Sequence, residues 1–309
     1  MSFPYLHYDV FTSAPLLGNQ LAVFPDARGL TTEQMQAIAR EINFSESTFI
    51  FPAERGDTDI RMRIFTPVVE MPMAGHPTVG STFALAHTGT IPRGRERFVF
   101  GLNVGPTPVE LEWDGDRLRF VWMTQGRPVF GAPVADRTAV TSALGLDPAD
   151  LADLPIQEVS CGVPYLYVPL RDREAVDRAT TGGVSELRLP GLSRSHPAVF
   201  LFSVNSDWEL GIGSWEFSTY SRMFAPGLGV SEDPATGSAA GPLGCYLVQH
   251  GRVSGDAAKQ IVNVQGVKMG RASRIHIAIT GGPDAITDVK VGGQAVLVAK
   301  GEWMAVSSK

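Results

Sequence analysis

Apolar and polar residues alternate along the first half of the chain in runs that predict short strands separated by helices. Apolar residues recur at helical spacing over 31–43, and Thr31 with Gln34 three residues later matches a capping box, so a helix is expected there. Two alternating runs flank an Asp-Gly turn and predict a hairpin over 109–122. The other elements predicted in this half are strands at 5–11, 20–24, 48–52 and 60–66, and a helix at 81–87.

The second half of the chain shows the same mixture. Its predicted elements are helices at 136–146 and 238–249 and strands at 164–170, 198–204, 219–225, 274–280 and 288–299. Strands mixed with helices in both halves predict two α+β domains, with a seam rich in Pro and Gly between 117 and 135. The predicted domains are residues 1–117 with 286–309, and residues 118–285.

An internal repeat supports this division into two related halves. RIFTPVVEMPMAGHPTVGSTF (63–83) is similar to RMFAPGLGVSEDPATGSAA (222–240). The aligned pairs are Arg63 with Arg222, Phe65 with Phe224, Pro67 with Pro226, Pro77 with Pro234, Gly80 with Gly237, and Ser81 with Ser238. Because the offset is about half the chain, the repeat predicts a duplicated domain rather than a solenoid.

Composition excludes several classes of protein. The chain has 309 residues, 44% hydrophobic and 19% charged, as an ordinary globular protein does. A net charge of −6 without any run of Lys or Arg argues against a nucleic-acid partner. No signal-peptide pattern and no apolar run of about 20 residues is present, which predicts a cytoplasmic chain without membrane association. Cys161 and Cys245 are far apart in sequence and predict packing residues rather than a disulfide framework or zinc site.

Each repeat places a turn rich in Gly, Ser and Thr between a strand and a helix. The first turn of a helix has unpaired backbone N–H groups and the positive end of the helix dipole, and small residues let an anion approach them. His76 and Asp233 add a polar side chain to each turn. Two such turns fit a small carboxylated substrate, although Gly and Ser could instead serve only to cap and tighten the helices.

Five motifs give the chain a resemblance to a known family. They are DVFTSAPLLGNQLAVF (9–24), NFSESTFIF (43–51), MPMAGHPTVGSTFAL (71–85), SEDPATGSAAG (231–241) and QGVKMGR (265–271). In this order they resemble the phenazine-biosynthesis isomerase-like (PhzF-type) family, which shares the diaminopimelate epimerase fold. The resemblance implies two pseudo-symmetric domains, each a β-sheet or barrel wrapped around a central helix. It also implies a homodimer that uses no cofactor and no metal.

The resemblance also implies a role for individual residues. The family's characterised reaction is the isomerisation of trans-2,3-dihydro-3-hydroxyanthranilate by proton transfer. Its general acid/base falls on Glu46, while His76 and Asp233 are expected to orient the substrate or relay a proton. The residues expected to bind the substrate are Asn19, Ser45, Gly75, His76, Asp233, Gly237 and Ser238. Met73 departs from the family, where an aromatic residue is common.

Two alternatives to such an isomerase stay open. Epimerases and racemases of this fold use one cysteine on each loop, and the loops here carry Gly75 with His76 and Asp233 instead. An alignment of NFSESTFIF with SCGVPYLYV (160–168) leaves no carboxylate at the place of Glu46, beside Gly162, which favours one carboxylate acting on one face of the substrate. The third possibility is a relative that binds a metabolite without turnover.

Overall fold

The structure, a computed structural model, describes residues 2–194, 197–205 and 217–304. The chain divides into two compact units, unit 1 with Met1–Thr124 and Gly292–Lys309, and unit 2 with Gln125–Val291. The domain boundaries predicted from the sequence stay a prediction, because a domain folds by itself and a compact unit need not.

Strands dominate both units. In chain order the elements are β1 (Ser2–Val10), β2 (Asn19–Phe24), α1 (Thr32–Ile42), β3 (Glu46–Pro52), β4 (Ile60–Phe65), β5 (Glu70–Met71), α2 (Gly75–His87), β6 (Arg97–Leu102), β7 (Gly105–Asp114), β8 (Arg117–Thr124), β9 (Val129–Pro133), α3 (Arg137–Ala143), β10 (Gln157–Ser160), β11 (Pro164–Pro169), α4 (Arg173–Arg178), β12 (Val199–Asn205), β13 (Phe217–Ala225), β14 (Val230–Asp233), α5 (Gly237–Gln249), β15 (Ile261–Gln265), β16 (Ser273–Thr280), β17 (Asp288–Gly293) and β18 (Ala295–Met304). Short 3-10 turns lie at Pro148–Asp150, Val184–Glu186, Pro226–Leu228, Gly255–Lys259 and Val267–Met269.

The two units share one order of strand pairing. In unit 1, β1–β2 is antiparallel, β2–β3 parallel, β3–β4 and β4–β5 antiparallel, β4–β6 parallel and β6–β7 antiparallel. In unit 2 the same series is β10–β11, β11–β12, β12–β13, β13–β14, β13–β15 and β15–β16. Outside this series, β18 pairs with β1 in unit 1 and β9 pairs with β10 in unit 2. The duplication expected from the sequence repeat is therefore present in the topology.

Each unit packs its strands around one buried helix. In α2, every residue from Gly75 to Leu85 is buried, and in α5 the residues from Gly237 to Val248 are buried except the half-buried Ser238. A helix enclosed on every side must carry small residues where strands approach it. A Cβ on Gly80 would lie 2.6 Å from side-chain carbons of Val10 and Leu21, so this close approach requires glycine.

The structure corrects several predicted elements. The segment 74–80 was predicted as a loop, but α2 begins at Gly75 rather than at 81. Pro77 is tolerated there because the N–H groups of a first helical turn have no intrahelical partner. The Pro- and Gly-rich stretch 126–133 was predicted as a linker, yet it contains β9. Short strands without a clear alternation, and one short helix, were missed: β5, β6, β9, β10, β14, β15 and α4.

The helix predicted over 31–43 and the hairpin over 109–122 are confirmed. In α1 the Thr31 side chain accepts from the backbone of Gln34 and the Gln34 side chain accepts from the backbone of Thr31, as a capping box requires. In the hairpin, Asp114 pairs with Arg117, so the turn consists of Gly115 and Asp116.

Candidate active site

Three of the predicted residues come together in unit 1. Glu46 begins β3, Asn19 begins β2, and His76 is the second residue of α2. A carboxyl oxygen of Glu46 lies 3.4 Å from Nδ1 of His76, and the amide nitrogen of Asn19 lies 3.2 Å from the same ring nitrogen. Ser45 precedes Glu46 and Gly75 precedes His76 in the chain, so all five residues predicted in this unit belong to one neighbourhood.

His76 is neutral at ordinary pH. Its side chain is 3% exposed. Burial lowers the pKa of the ring to about 3, while the backbone of Gln20 has a smaller effect in the opposite direction. The contact with Glu46 is therefore one between a carboxyl group and an uncharged imidazole, and not an ion pair.

The surroundings of His76 also indicate its tautomer. The contact of the Asn19 amide nitrogen with Nδ1 fits the tautomer whose ring hydrogen is on Nε2, because an N–H group donates only to a ring nitrogen without hydrogen. Nε2 is buried and has no hydrogen-bond partner in the ranges that the structure describes. A buried N–H group without a partner has a cost of about 1–3 kcal/mol, which an oxygen of a bound ligand would remove.

The remaining predicted residues cluster in unit 2. Asp233 ends β14, and Gly237 and Ser238 begin α5. The Thr236 hydroxyl donates to the carboxylate of Asp233 at 2.7 Å. Gln265 braces this turn, because its amide nitrogen donates to the carbonyl of Asp233 at 2.8 Å and its amide oxygen accepts from the backbone of Thr236 at 3.1 Å.

Two further side chains hold the start of α5. The hydroxyl groups of Tyr165 and Ser238 lie 2.7 Å apart, and the side chain of Gln125 donates to the carbonyl of Gly237 at 2.9 Å. Sequence reasoning missed Tyr165, Gln125 and Gln265 as members of this group. Gln265 could have been identified from the sequence, since it begins the motif QGVKMGR. Tyr165 and Gln125 carry no comparable signal, because they approach the helix from remote parts of the chain.

The helix starts at these two groups differ from those of the other α-helices. The helices α1, α3 and α4 each begin at a Thr or Asp whose side chain accepts a backbone hydrogen bond of the first turn. At α2 and α5, the capping residues Ala74 and Thr236 make no such bond. Alanine has no acceptor, and the Thr236 hydroxyl is used by Asp233 and Gln265. No side-chain cap therefore takes the N–H groups of the residues that open α2 and α5, Gly75 with His76 and Gly237 with Ser238, as in an anion site.

Strand register shows what stands at the place of Glu46 in unit 2. Arg63 lies opposite Phe49 on β3, and its repeat partner Arg222 lies opposite Leu201 on β12. Three residues before Phe49 is Glu46, and three residues before Leu201 is Ala198, which is buried. The alignment that put the place of Glu46 beside Gly162 is wrong, because Gly162 lies between β10 and β11, which match β1 and β2. Ala198 has no carboxylate either, and the action of one carboxylate on one face of the substrate stays a prediction.

Register also corrects the second part of the sequence repeat. Arg63 forms two hydrogen bonds with Glu70, and Arg222 forms two with Glu232. From these glutamates onward the short strands and helix starts correspond residue by residue, in the pairs Glu70 with Glu232, Met71 with Asp233, Gly75 with Gly237 and His76 with Ser238. The predicted pairs Pro77 with Pro234, Gly80 with Gly237 and Ser81 with Ser238 are therefore wrong, because Gly75 and Gly237 each occupy the first position of the buried helix and Pro234 lies before it.

The two cysteines are buried, as predicted. Their sulfur atoms nevertheless lie 3.9 Å apart, a proximity that their separation in sequence hid. Both belong to unit 2, and neither stands at a helix start. Within the described ranges, no three or more His, Cys, Asp or Glu side chains are grouped so that they could hold a metal ion.

Comparison with known proteins places this geometry in context. Residues 8–301 match the family model described as phenazine biosynthesis-like protein (PhzC-PhzF). A trans-2,3-dihydro-3-hydroxyanthranilate isomerase of Pseudomonas chlororaphis is 37% identical over 304 residues, which cover 96% of this chain and 98% of that one. The crystal structure of a Bacillus anthracis phenazine biosynthesis protein of the PhzF family matches with a TM-score of 0.83 and 26% identity, covering 99% of this chain and 100% of that one.

A more distant structure bears on the fold alone. A hydroxyproline epimerase from Agrobacterium vitis matches with a TM-score of 0.60 and 10% identity, covering 98% of this chain and 92% of that one. The predicted α+β fold of the epimerase type, with a sheet around a central helix in each half, is confirmed. None of the helices among the described residues is both long and apolar enough to cross a membrane.

Proposed function

We propose that the chain, which belongs to the phenazine biosynthesis-like family, moves one proton between two positions of a small carboxylated, amino-bearing substrate. It is an isomerase of this family's type, as its relatives are. The substrate class we propose is that of trans-2,3-dihydro-3-hydroxyanthranilate. One observation carries the finer proposal: Glu46 contacts a neutral, buried His76, and the matching position of unit 2 is Ala198.

A single carboxylate favours isomerisation over inversion. Inversion at a carbon needs one group that removes the proton from one face and a second that returns it to the other. An isomerase needs only one group that breaks a C–H bond, holds the proton while the double bond shifts, and forms a C–H bond at another carbon. No net electron change accompanies this step, so no redox cofactor takes part in it, and cofactor independence belongs to the proposal.

In the proposed reaction Glu46 carries the proton. His76, whose pKa is about 3, does not hold a positive charge near neutral pH, so the imidazole acts as a hydrogen-bonding partner. Asn19 fixes the ring through Nδ1, and the N–H at Nε2 donates to an oxygen of the substrate. Positioned acid/base groups of this kind contribute rate factors of about 10²–10⁴.

The helix starts supply the proposed binding of the substrate carboxylate. Gly75, Gly237 and Ser238 stand where first-turn N–H groups lack a side-chain cap, and Ser238 adds a hydroxyl group. Asp233 is proposed to accept a hydrogen bond from the substrate amino group through its carboxylate, which Thr236 already orients. Ser45, next to Glu46, is proposed as a further contact.

An epimerase or racemase of an amino-acid-like substrate is the alternative enzyme. The resemblance associates that chemistry with one thiol on each loop, whereas both cysteines here are buried in unit 2. A relative that binds a metabolite without turnover is the non-enzymatic alternative. The homodimer and the cytoplasmic location stay predictions.

Turnover of trans-2,3-dihydro-3-hydroxyanthranilate, followed by its ultraviolet spectrum, tests the proposal. We expect conversion to an isomer of equal mass. Interconversion of D- and L-amino acids on a chiral column, with no reaction of the cyclic compound, would instead establish the racemase. Binding of the stable aromatic compound 3-hydroxyanthranilate, with no turnover of either trans-2,3-dihydro-3-hydroxyanthranilate or the amino acids, would favour the non-enzymatic alternative.

A further inference from the structure

We propose that Cys161 and Cys245 are an oxidation site, at which hydrogen peroxide converts the two thiols into one intramolecular disulfide. This modification is independent of the proposed isomerase activity, since neither cysteine belongs to the residues assigned to it. No motif in the sequence pairs these cysteines, and the fold of unit 2 brings them together.

The geometry of the pair carries the inference. The Sγ atoms lie 3.9 Å apart, with Cys161 2% and Cys245 0% exposed. Cys245 is on α5, whereas Cys161 is in the bend between β10 and β11, where the backbone N–H of Gly126 holds its carbonyl oxygen at 3.3 Å. Since a disulfide has an S–S distance of about 2.05 Å, the sulfur atoms must approach each other by less than 2 Å.

The order of the two chemical steps follows from the surroundings. The hydrogen bond with Cys161 and burial both raise the pKa of the Cys245 thiol, which disfavours the thiolate there. Cys161 is also the less enclosed of the two, at 2% exposed against 0%, so peroxide reacts first at its sulfur, which takes one oxygen atom to become a sulfenic acid, with release of water. The Cys245 sulfur then attacks that sulfur, an S–S bond forms, and a second water leaves with the oxygen. Two thiols are oxidised by two electrons and one peroxide is reduced.

The disulfide would tie together two elements of the unit 2 site. Tyr165 lies on β11, directly after the bend that holds Cys161, and its hydroxyl contacts Ser238 at the start of the helix that carries Cys245. The bond would also close a loop between residues 84 positions apart. Loop closure of this size predicts a thermal midpoint higher by about 5–10 °C in the oxidised protein.

The test is peroxide treatment of the native chain, with dimedone present to trap any sulfenic acid. In the wild type we expect an intact mass lower by two hydrogens and no dimedone adduct. After proteolysis we expect one link between the peptides that hold the two cysteines, and dithiothreitol should cleave it. The matched variants are Cys245→Ser, which we expect to accumulate the dimedone adduct at Cys161, and Cys161→Ser, which cannot form the link.

Three results would overturn the proposal, and none of them depends on the variants being stable. The first is two free thiols after peroxide treatment of the wild type. The second is dimedone adducts or links between chains in place of the intramolecular link. The third is a link that forms only when guanidinium chloride has unfolded the chain. Isomerase assays are not part of this test, so its failure is distinct from failure of the proposed function.

Discussion

The two units use the same framework and differ in the groups that it presents. In both, an arginine of the fourth strand in the series binds a glutamate of the short fifth strand and lies over a phenylalanine ring, at 5.1 Å for Arg63 over Phe65 and 4.7 Å for Arg222 over Phe224. The buried helix begins a few residues beyond that glutamate. The same ion pair thus holds the short strand that leads into each buried helix.

The chemistry lies where this framework diverges. Unit 1 places Glu46 beside His76, whereas unit 2 has Ala198 and Ser238 at the matching positions. Unit 2 instead has Asp233 where unit 1 has Met71. The difference indicates that the two halves share the elements that position the helix starts, while only unit 1 has a carboxylate at the place that we propose for the proton carrier.

Removing the proton carrier is expected to have the largest effect. In Glu46→Gln the amide keeps the shape of the side chain but cannot exchange a proton, so kcat/KM for the isomerisation should fall about 10³-fold, or about 4 kcal/mol. Glu41→Gln is the matched control, since Glu41 is exposed on α1 and should leave the rate unchanged. Equal activity of the two variants would remove Glu46 from the mechanism.

The two arginine pairs should differ in their contribution to folding. Arg222 is 8% exposed and also donates to the carbonyl oxygens of Val176, Asp177 and Ala179, so Arg222→Met leaves several buried groups unpaired. We expect a loss of about 3–5 kcal/mol in the free energy of unfolding. The Arg63–Glu70 pair is more exposed, and Arg63→Met should cost about 1 kcal/mol.

Urea titration of the two arginine variants measures both losses. The mutation in each case removes the same side chain from the same place in the strand series. Losses of equal size would show that burial and the three carbonyl contacts do not distinguish the two ion pairs.

His76 should make the stability of the chain depend on pH in a definite window. Its pKa is about 3 in the folded state against an ordinary value of 6.5, so the unfolded chain binds one more proton between these limits. The contribution of this group to the free energy of unfolding is fully present above pH 6.5. It decreases by about 1.4 kcal/mol per pH unit as the pH falls towards 3.

The variant His76→Asn tests this window, because asparagine does not titrate, just as Ser238, the counterpart of His76 in unit 2, does not. The difference in unfolding free energy between wild type and variant, measured at several pH values, should shrink by that slope as the pH is lowered. A difference that does not change with pH would contradict a neutral, buried His76.

The smallest predicted effect concerns Tyr165. In Tyr165→Phe the hydrogen bond to Ser238 is lost, and a hydrogen bond is worth about 0.5–1.5 kcal/mol, so KM should rise about 2- to 12-fold with kcat little changed. Tyr167→Phe is the control, because its hydroxyl donates to the carbonyl of Ala239 inside the helix and not to a proposed substrate contact. A similar KM for the two variants would count against a positioning role for Tyr165.

Local signals in the sequence predicted much of the fold. The capping box of α1 and the tight turn between β7 and β8 act over a few residues, so the sequence predicts them directly, although the turn is Gly115-Asp116 rather than Asp-Gly. The start of α2 was misplaced because Gly75, Pro77 and Gly80 are residues that usually interrupt helices. Here they serve close packing and the unpaired first turn, which only the surrounding strands reveal.

The candidate site shows the same limit. Glu46, His76 and Asp233 were identified through motifs, but the contacts of Glu46 and Asn19 with His76 join three separate elements. The sequence alignment misjudged the repeat for a related reason. It matched glycines and serines by type, whereas register between strands, fixed by Arg63 and Arg222, determines which residues correspond.

The most direct test of a single proton carrier is the isomerisation of trans-2,3-dihydro-3-hydroxyanthranilate in D₂O, with NMR location of the deuterium in the product. The account predicts that the carbon that receives the proton gains either the substrate's own hydrogen or, where Glu46 exchanges with D₂O before returning it, one deuterium, always in a single configuration and at no other carbon. Deuterium at the carbon that lost the proton, with inverted configuration, would contradict it and show that a second group acts from the opposite face.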